Sequence, residues 1–262
     1  MIANRFVRRA LLAYLGLVLL FAFAPIAAGF VFSVNSDRFP SLPLGSFTLD
    51  WYRAVFEDAL VVESFRNSLL VGLAAAPLAT LIGFAAAYAD YRFRFFGQRA
   101  VLVLGLLPPT IPVVILGVAM LAFLARLGLA GTLTAVIVCH VVVCAPFAMA
   151  VARLRFAQID PDLEIAAQNL GASDWRAFAA VIVPMAWPAL MAAMFLSLAV
   201  SFDEYMIAWF VGGLNETVPV RVLGFLQGQV SPRIHAIGAV SFLVSILLVA
   251  LAQMLTSRMT RH

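Results

Sequence analysis

The sequence predicts an all-α, polytopic membrane protein of six transmembrane helices, and three observations lead there. The 262-residue chain is 64% hydrophobic and only 11% charged, with a mean hydropathy of +1.04. No soluble domain of this size needs so much apolar sequence, so most of the chain must sit in lipid. Its apolar runs are long and continuous rather than alternating, and lipid admits only helices or closed barrels, which selects helices. The net charge of +4 is carried by arginine without a single lysine, and the arginines cluster between the runs. That basic balance reads as membrane orientation, not nucleic-acid binding.

The first span is predicted at about Ala10–Phe32, behind the basic start Asn4-Arg5-Phe6-Val7-Arg8-Arg9. Its apolar part exceeds a signal-peptide core of roughly 7–15 residues, so a retained anchor is expected. Ser33 to Glu63 is polar, with Pro40, Pro43 and Gly45, and a short helix is expected near Leu49–Val62. The second span is placed at about Asn67–Ala89, followed by a short basic loop from Asp90 to Arg99. The third, about Ala100–Leu124, contains Pro108, Pro109 and Pro112. Such a cluster breaks or kinks a helix unless neighbours satisfy the freed carbonyls. A tight turn at Arg126–Gly131 leads to the fourth span, about Thr132–Ala152. The fifth is expected at about Val183–Val211 and the sixth at about Ile234–Thr256, with Gly212 to Arg233 between them.

Before the fifth span comes the longest polar interruption of the second half, Asp160 to Leu190. It reads as two short helices joined by a glycine turn. Asp160 suits an N-cap and Pro161 the first helical position, where no amide hydrogen is needed. Asp162 and Glu164 follow in the first turn, favoured there by the helix dipole. Leu163, Ala166, Ala167 and Leu170 recur at helical spacing, and Gly171 can take the positive φ of a helix stop. Ser173 caps a second helix, with Asp174, Trp175, Arg176 and Phe178 in its opening turns. Pro184 and Pro188 mark the passage into the fifth span.

Arginine placement orients the chain. One side carries Arg5, Arg8, Arg9, Arg92, Arg94, Arg99, Arg153, Arg155, Arg176, Arg258 and Arg261. On the other, Arg38, Arg53, Arg66, Arg126, Arg221 and Arg233 are offset by acids such as Asp37, Asp50, Asp58 and Glu216. The positive-inside rule then puts both termini and the 160–184 loop in the cytoplasm.

Several chemistries are excluded or weakened. A P-loop needs a lysine to reach the β- and γ-phosphates, and this chain has none, so any ATP is hydrolysed by another polypeptide. No nucleophile–base set is evident. Cys139, His140 and Cys144 could suggest a metal, but only His140 and Cys144 share a helical face, and His235 and His262 stand alone. Packing inside a span accounts for them better. Gly72, Ala76, Gly83 and Ala87 form a narrow stripe of the kind that packs helices. Asp203 and Glu204 carry more weight. An ionised group at helix-centre depth costs about 2.5–3.5 kcal/mol, and intramembrane acids face a cavity or a partner. For Asp203 a cation-attracting place on a transport path and a structural bond both stay open; for Glu204 the structural bond is favoured. Phe202, Tyr205 and Trp209 could line such a path by cation–π contact or anchor at an interface.

The 160–184 loop resembles the EAA loop of ABC-importer permeases, whose pattern is roughly EAA, three residues, G, nine residues, I, an apolar residue, LP. Ala166, Ala167, Gly171, Ile182 and Pro184 stand at those spacings, while Ile165 occupies the motif glutamate position and the acid is one earlier, at Glu164. Asn67-Ser68-Leu69, Ala87-Tyr88-Ala89, Pro108, Pro112, Gly117 and Pro146 resemble further parts of the permease core, from about Trp51 onward. Ser197 to Gly212 and Gly228 to Ala236 are similar to the polyamine (spermidine/putrescine) branch.

This resemblance implies one transmembrane domain over 1–262 of the ABC type I importer permease kind. Residues 1–50 would be its first helix and the start of the outer segment, 51–262 the permease core, and 160–184 a cytoplasmic coupling-helix loop. Glu164, Ala166, Ala167, Gly171, Ala172, Trp175, Phe178 and Pro184 would couple to an ATPase, and Phe202, Asp203, Glu204, Tyr205 and Trp209 would lie on the substrate path. The chain would bind no cofactor, ATP and magnesium being used by a cytoplasmic ABC ATPase dimer. The implied partners are a second permease subunit, usually giving a heterodimer, and an extracytoplasmic binding protein; the implied place is a bacterial inner membrane. A polyamine is the expected solute, with an opine, an amino-acid-like cation, iron or thiamine as alternatives. A self-contained secondary transporter would show inverted repeats, and an intramembrane enzyme would need polar groups at depth in several spans. The loop favours the permease over both.

Overall fold

The computed structural model of the chain describes residues 5–39, 41–228 and 232–259. Asn4, Pro40, residues 229–231, Arg261 and His262, which figure in the expectations above, lie outside them. Among the described residues the secondary structure is helical, apart from an isolated bridge between Asn35 and Phe47. The helices are α1 (Arg5–Ser33), α2 (Asp50–Glu57), α3 (Ala59–Arg92), α4 (Gln98–Leu106), α5 (Val113–Arg126), α6 (Leu133–Phe156), α7 (Asp162–Asn169), α8 (Asp174–Ala177), α9 (Val183–Asp203), α10 (Met206–Val211), α11 (Val218–Gly228) and α12 (Arg233–Met259). Five helical stretches are long and apolar enough to cross a membrane, at Val7–Ser33, Ala59–Arg92, Leu133–Phe156, Asp174–Asp203 and Arg233–Ala250. The third predicted span is in two pieces.

The chain divides into two compact units, one of Met1–Val62 with Val222–Val244 and the other of Glu63–Arg221 with Ser245–His262. In the first unit, α1 is apolar on every side and exposed over most of its length, as a helix facing lipid or another chain must be. Phe30 meets Phe242 edge-on at 5.7 Å. Beyond α1 the chain is fastened by side chains. Tyr52 and Ser33 share a 2.7 Å hydrogen bond, and Trp51 donates to the Asn35 carbonyl at 2.8 Å. Arg233 donates to Asp58 Oδ2 at 2.9 Å and to the Ala54 carbonyl at 2.8 Å, and lies over the Phe225 ring.

In the second unit, α6 packs most extensively on α9, and α10 on α5. Two apolar clusters form its core. One joins Val71, Leu124, Val136, Cys139, Ile207 and Val211; the other joins Phe84, Met149, Phe156, Ile159, Ile182 and Ala186. The small-residue stripe on α3 permits this. A Cβ at Gly83 would stand 2.5 Å from the Met149 amide nitrogen and 2.8 Å from the Ala145 carbonyl oxygen, so α3 and α6 touch backbone to backbone there. Gly72 is pressed on Leu198, and Ala76 and Ala87 are buried.

Where the elements differ from expectation, a local group explains it. α4 stops at Leu106, Pro108–Thr110 form a 3-10 turn, and Ile111 is extended, so the proline cluster breaks the third span outright. The Thr110 amide and Oγ1 both donate to the Leu107 carbonyl, at 2.9 and 2.7 Å. The helix predicted over Leu49–Val62 is two helices, because Asp58 is extended and its Oδ1 accepts from the Leu60 and Val61 amides at 3.0 and 3.4 Å. α3 therefore starts before the predicted Asn67 and also outruns Ala89. The fifth span is not continuous to Val211: α9 ends at Asp203, Glu204 is extended, and α10 restarts at Met206. The 212–233 connection contains α11, which hydropathy had left unassigned.

Gly83→Leu should lower the stability of the folded protein by roughly 1–3 kcal/mol through overpacking. Thermal unfolding in detergent checks this, with Gly16→Leu as a control expected to behave as wild type, since nothing lies within 4 Å of a Cβ there.

Candidate functional site

The 160–184 loop folds as its residues dictate. Asp160 Oδ1 accepts from the Asp162 amide at 3.0 Å, and Pro161 holds a helical φ of −57° ahead of α7. At the far end Gly171 has a φ of +91°. Its amide bonds the Gln168 carbonyl at 2.9 Å, and the Ala172 amide reaches the Ala167 carbonyl at 3.1 Å, satisfying carbonyls that the helix end would strand. Ser173 Oγ accepts from the Arg176 amide at 3.4 Å, and Gln168 Nε2 bonds Asp174 Oδ1 at 2.8 Å across the turn. A side chain at Gly171 would meet nothing within 4 Å. The glycine is there for its backbone angle, not for room. The second helix does not end in a loop; α8 runs into α9 through a π-turn at Phe178–Ile182.

The loop presents two faces. Leu163, Ile165, Ala166, Leu170 and Trp175 are exposed, Leu170 to 90% and Trp175 to 72%. Pro184 and Gly171 are also exposed, while Ala167, Ala172 and Phe178 are half-buried. Glu164 faces inward. It is 3% exposed, Arg92 Nε lies 3.2 Å from Oε2, and the Tyr88 hydroxyl donates to Oε1 at 3.1 Å. Phe178 packs beside it with its ring centroid 4.7 Å from that of Tyr88, and Phe84, Tyr91 and Phe156 extend the aromatic cluster. Next to this cluster, Asp90 pairs with Arg153 at 3.0 Å and accepts from Gln98 at 2.8 Å, beside a cavity of about 540 Å³.

The second candidate stretch straddles the break after α9. Asp203 ends α9, exposed, at the rim of a cavity of about 110 Å³ walled by Phe195, Leu198, Phe202, Leu248 and Val249. No ion pair holds it among the described residues. Glu204 turns the other way, and its Oε1 accepts from the Ile207 amide at 2.9 Å, capping α10. The two adjacent acids thus have different jobs. Phe202 is buried, whereas Tyr205 and Trp209 are 38% and 50% exposed. Trp209 meets Phe210, so the three aromatics do not assemble into one box. Beyond the break, the Gly131 amide bonds the Val211 carbonyl at 2.9 Å and Asn215 Nδ2 bonds the Gly131 carbonyl at 2.7 Å. Asn67 Nδ2 donates to the Glu216 carbonyl at 3.1 Å, and Ser68 Oγ accepts from the Val218 amide at 2.9 Å.

His140 and Cys144 both face α9: His140 Nδ1 is 2.8 Å from Ser201 Oγ, and the Cys144 thiol donates to the Ser197 carbonyl at 3.4 Å. Cys139 packs instead in the first apolar cluster. Tyr88, Arg92, Asp90 and Arg153 are the polar residues that spacing did not single out. Tyr88 and Arg92 sit more than 70 residues before their partner Glu164, so only folding brings them together.

Comparison with known proteins gives a consistent picture. Residues 79–261 match the family model described as "Binding-protein-dependent transport system inner membrane component". The spermidine/putrescine transport system permease protein PotC of Haemophilus influenzae is 28% identical over 247 residues, covering 94% of this chain and 96% of that protein. The putrescine transport system permease protein PotI of Escherichia coli is 29% identical over 226 residues, covering 83% and 80% respectively. Among solved structures, a bacterial alginate ABC transporter in complex with its alginate pentasaccharide-bound periplasmic protein has a chain that superposes with a TM-score of 0.77. It is 16% identical, with 98% of this chain and 97% of that one covered, so the likeness is one of fold.

The two acids should separate by stability. Glu204→Ala removes a helix cap and should cost about 1 kcal/mol. Asp203→Asn should stay within about 0.5 kcal/mol of wild type. Thermal unfolding of both variants in the same detergent reads the difference.

Proposed function

The chain belongs to the family of binding-protein-dependent transport system inner membrane components, and on that premise we propose that it forms half of the translocation path of an ATP-driven polyamine importer. As a family member it is a membrane-embedded permease subunit of an ABC importer, not an enzyme. The observation that carries the substrate is Asp203, a carboxylate at the rim of an apolar cavity with no ion pair among the described residues. Apolar walls with one anion at the rim match an alkyl chain ending in an ammonium group, the chemistry of putrescine and spermidine. The two polyamine permease relatives, matched over most of this chain, support the same reading.

The partners follow from that role. The exposed residues around α7, with the turn set by Gly171, form the face offered to a cytoplasmic ABC ATPase dimer. Ala166, Ala167, Ala172, Trp175, Phe178 and Pro184 shape that face, and ATP with magnesium is bound by the ATPase. A second permease subunit completes the path, and an extracytoplasmic binding protein delivers the solute. The arginine asymmetry supports both termini on the cytoplasmic side. When ATP closes the ATPases the loops move with them, and the spans exchange inward- and outward-facing states.

The test is ATP-dependent uptake of labelled putrescine and spermidine by proteoliposomes holding this chain with its partner permease, ATPase and binding protein. Asp203→Asn should lower uptake about tenfold, the loss of one charge-assisted contact. Gly171→Arg should abolish it, because a side chain is strained at that φ, and Gly171→Asn should be milder, since asparagine visits the left-handed region. Unchanged uptake in Asp203→Asn would remove that residue from the path. ATPase stimulation by a loaded binding protein, with no polyamine uptake, would keep the permease and discard the polyamine.

A further inference from the structure

Glu164 is the one carboxylate buried among the described residues. A buried carboxylate without partners is costly, so its environment has to be built for it. Here both oxygens are taken, Oε2 by Arg92 at 3.2 Å and Oε1 by the Tyr88 hydroxyl at 3.1 Å. Both partners lie in the last two turns of α3, and the Phe178 ring, following the loop, closes on Tyr88. The loop's covalent exit is made differently. It enters α9 through a π-turn, whose wider hydrogen-bond rings interrupt the α-helical ladder, followed by Pro184, which cannot donate. The noncovalent join to α3 is specific and partly buried, and the covalent join to α9 is irregular.

α3 then leads away from the loop for 34 residues. Near its other end Asn67 and Ser68 bond the Glu216 carbonyl and the Val218 amide, just past α10 and the break beside Asp203. A continuous chain of contacts therefore runs from α7 through α3 to the segment that follows the candidate substrate site.

We propose that Glu164 is a positioning residue: it latches α7 to the end of α3, so that movement imposed on the loop by the ATPase enters the second span and, through it, the 203–218 region. This rests on the permease reading above, and it replaces a direct contact between Glu164 and the ATPase with an internal one. Tyr88→Phe, Arg92→Gln, Glu164→Gln and the Arg92→Gln/Glu164→Gln pair separate the two. Each variant is reconstituted with its partners, co-purified ATPase is quantified, and solute uptake per ATP hydrolysed is measured.

The latch predicts that each single change lowers that ratio about fivefold, a size typical of coupling residues, with ATPase still bound. The double variant should be no worse than the singles, because they break one unit, and Arg92→Lys should restore much of the loss. Tyr88→Phe is the mildest change for folding and still deletes a bond to Glu164. If Tyr88→Phe and Arg92→Gln couple as wild type while Glu164→Gln does not, Glu164 touches the ATPase directly and the latch is wrong. Losses that multiply in the double variant overturn it too. Should the wild type take up no polyamine, the same cycle is read on the binding-protein-stimulated ATPase rate. That result rejects the substrate, while the pattern across the variants still decides the latch.

Discussion

Hydrocarbon offers no water to a backbone, and most of what is irregular here answers to that constraint. A peptide group released from a helix inside a membrane must find another partner or leave the lipid. At the interruption of Pro108–Pro112 the Thr110 amide and hydroxyl both bond the Leu107 carbonyl. The interruption after Asp203 is accompanied by the Glu204 carboxylate on a freed amide. The end of α10 is tied to the α5–α6 turn through Gly131 and Asn215. Each break thus occurs where a nearby polar group takes up the backbone, and each puts unusual chemistry within reach of a span.

Much of the fold was legible because its signals are local. Proline cannot continue a ladder, so the third span had to break where it does. Gly171 stood where a helix needed a left-handed stop, and Thr132 began the fourth span and caps it, its hydroxyl accepting from the Ala135 amide at 3.1 Å. The parts that escaped depend on tertiary partners. Tyr205 to Val211 is as apolar as the span before it, so hydropathy sees no reason for α9 to stop. Asp58 divides two helices with one carboxylate, and a single acid in a polar segment is too common to be read as a divider. The inward turn of Glu164 was hidden for the same reason, because its partners belong to another helix.

The candidate site shows the same division more sharply. For the neighbouring acids Asp203 and Glu204 the sequence favoured a structural bond only for Glu204, and the geometry supplies the partner: Asp203 stands at a cavity while Glu204 bonds the Ile207 amide. Helical spacing groups Leu163, Ala166, Ala167 and Leu170, and the fold leaves Leu163, Ala166 and Leu170 exposed with Ala167 half-buried. The loop's acid, Glu164, was expected in the first turn of α7 and is found there, turned toward Arg92 and Tyr88 of α3. Spacing tells which residues share a face. It does not tell which face a short helix turns toward its own chain.

The π-turn at Phe178–Ile182 also has a meaning in the history of such chains. A π-turn amounts to one residue more than an α-helix needs over the same length. Removing one residue there would restore the α ladder and leave the turns on either side near their present azimuth. The extra residue is absorbed locally, so the loop keeps its direction from α9 with or without it. Two permeases that differ by that one residue would present their loops to the same groove, which makes the π-turn a place where chain length can drift without remaking the subunit that receives the loop.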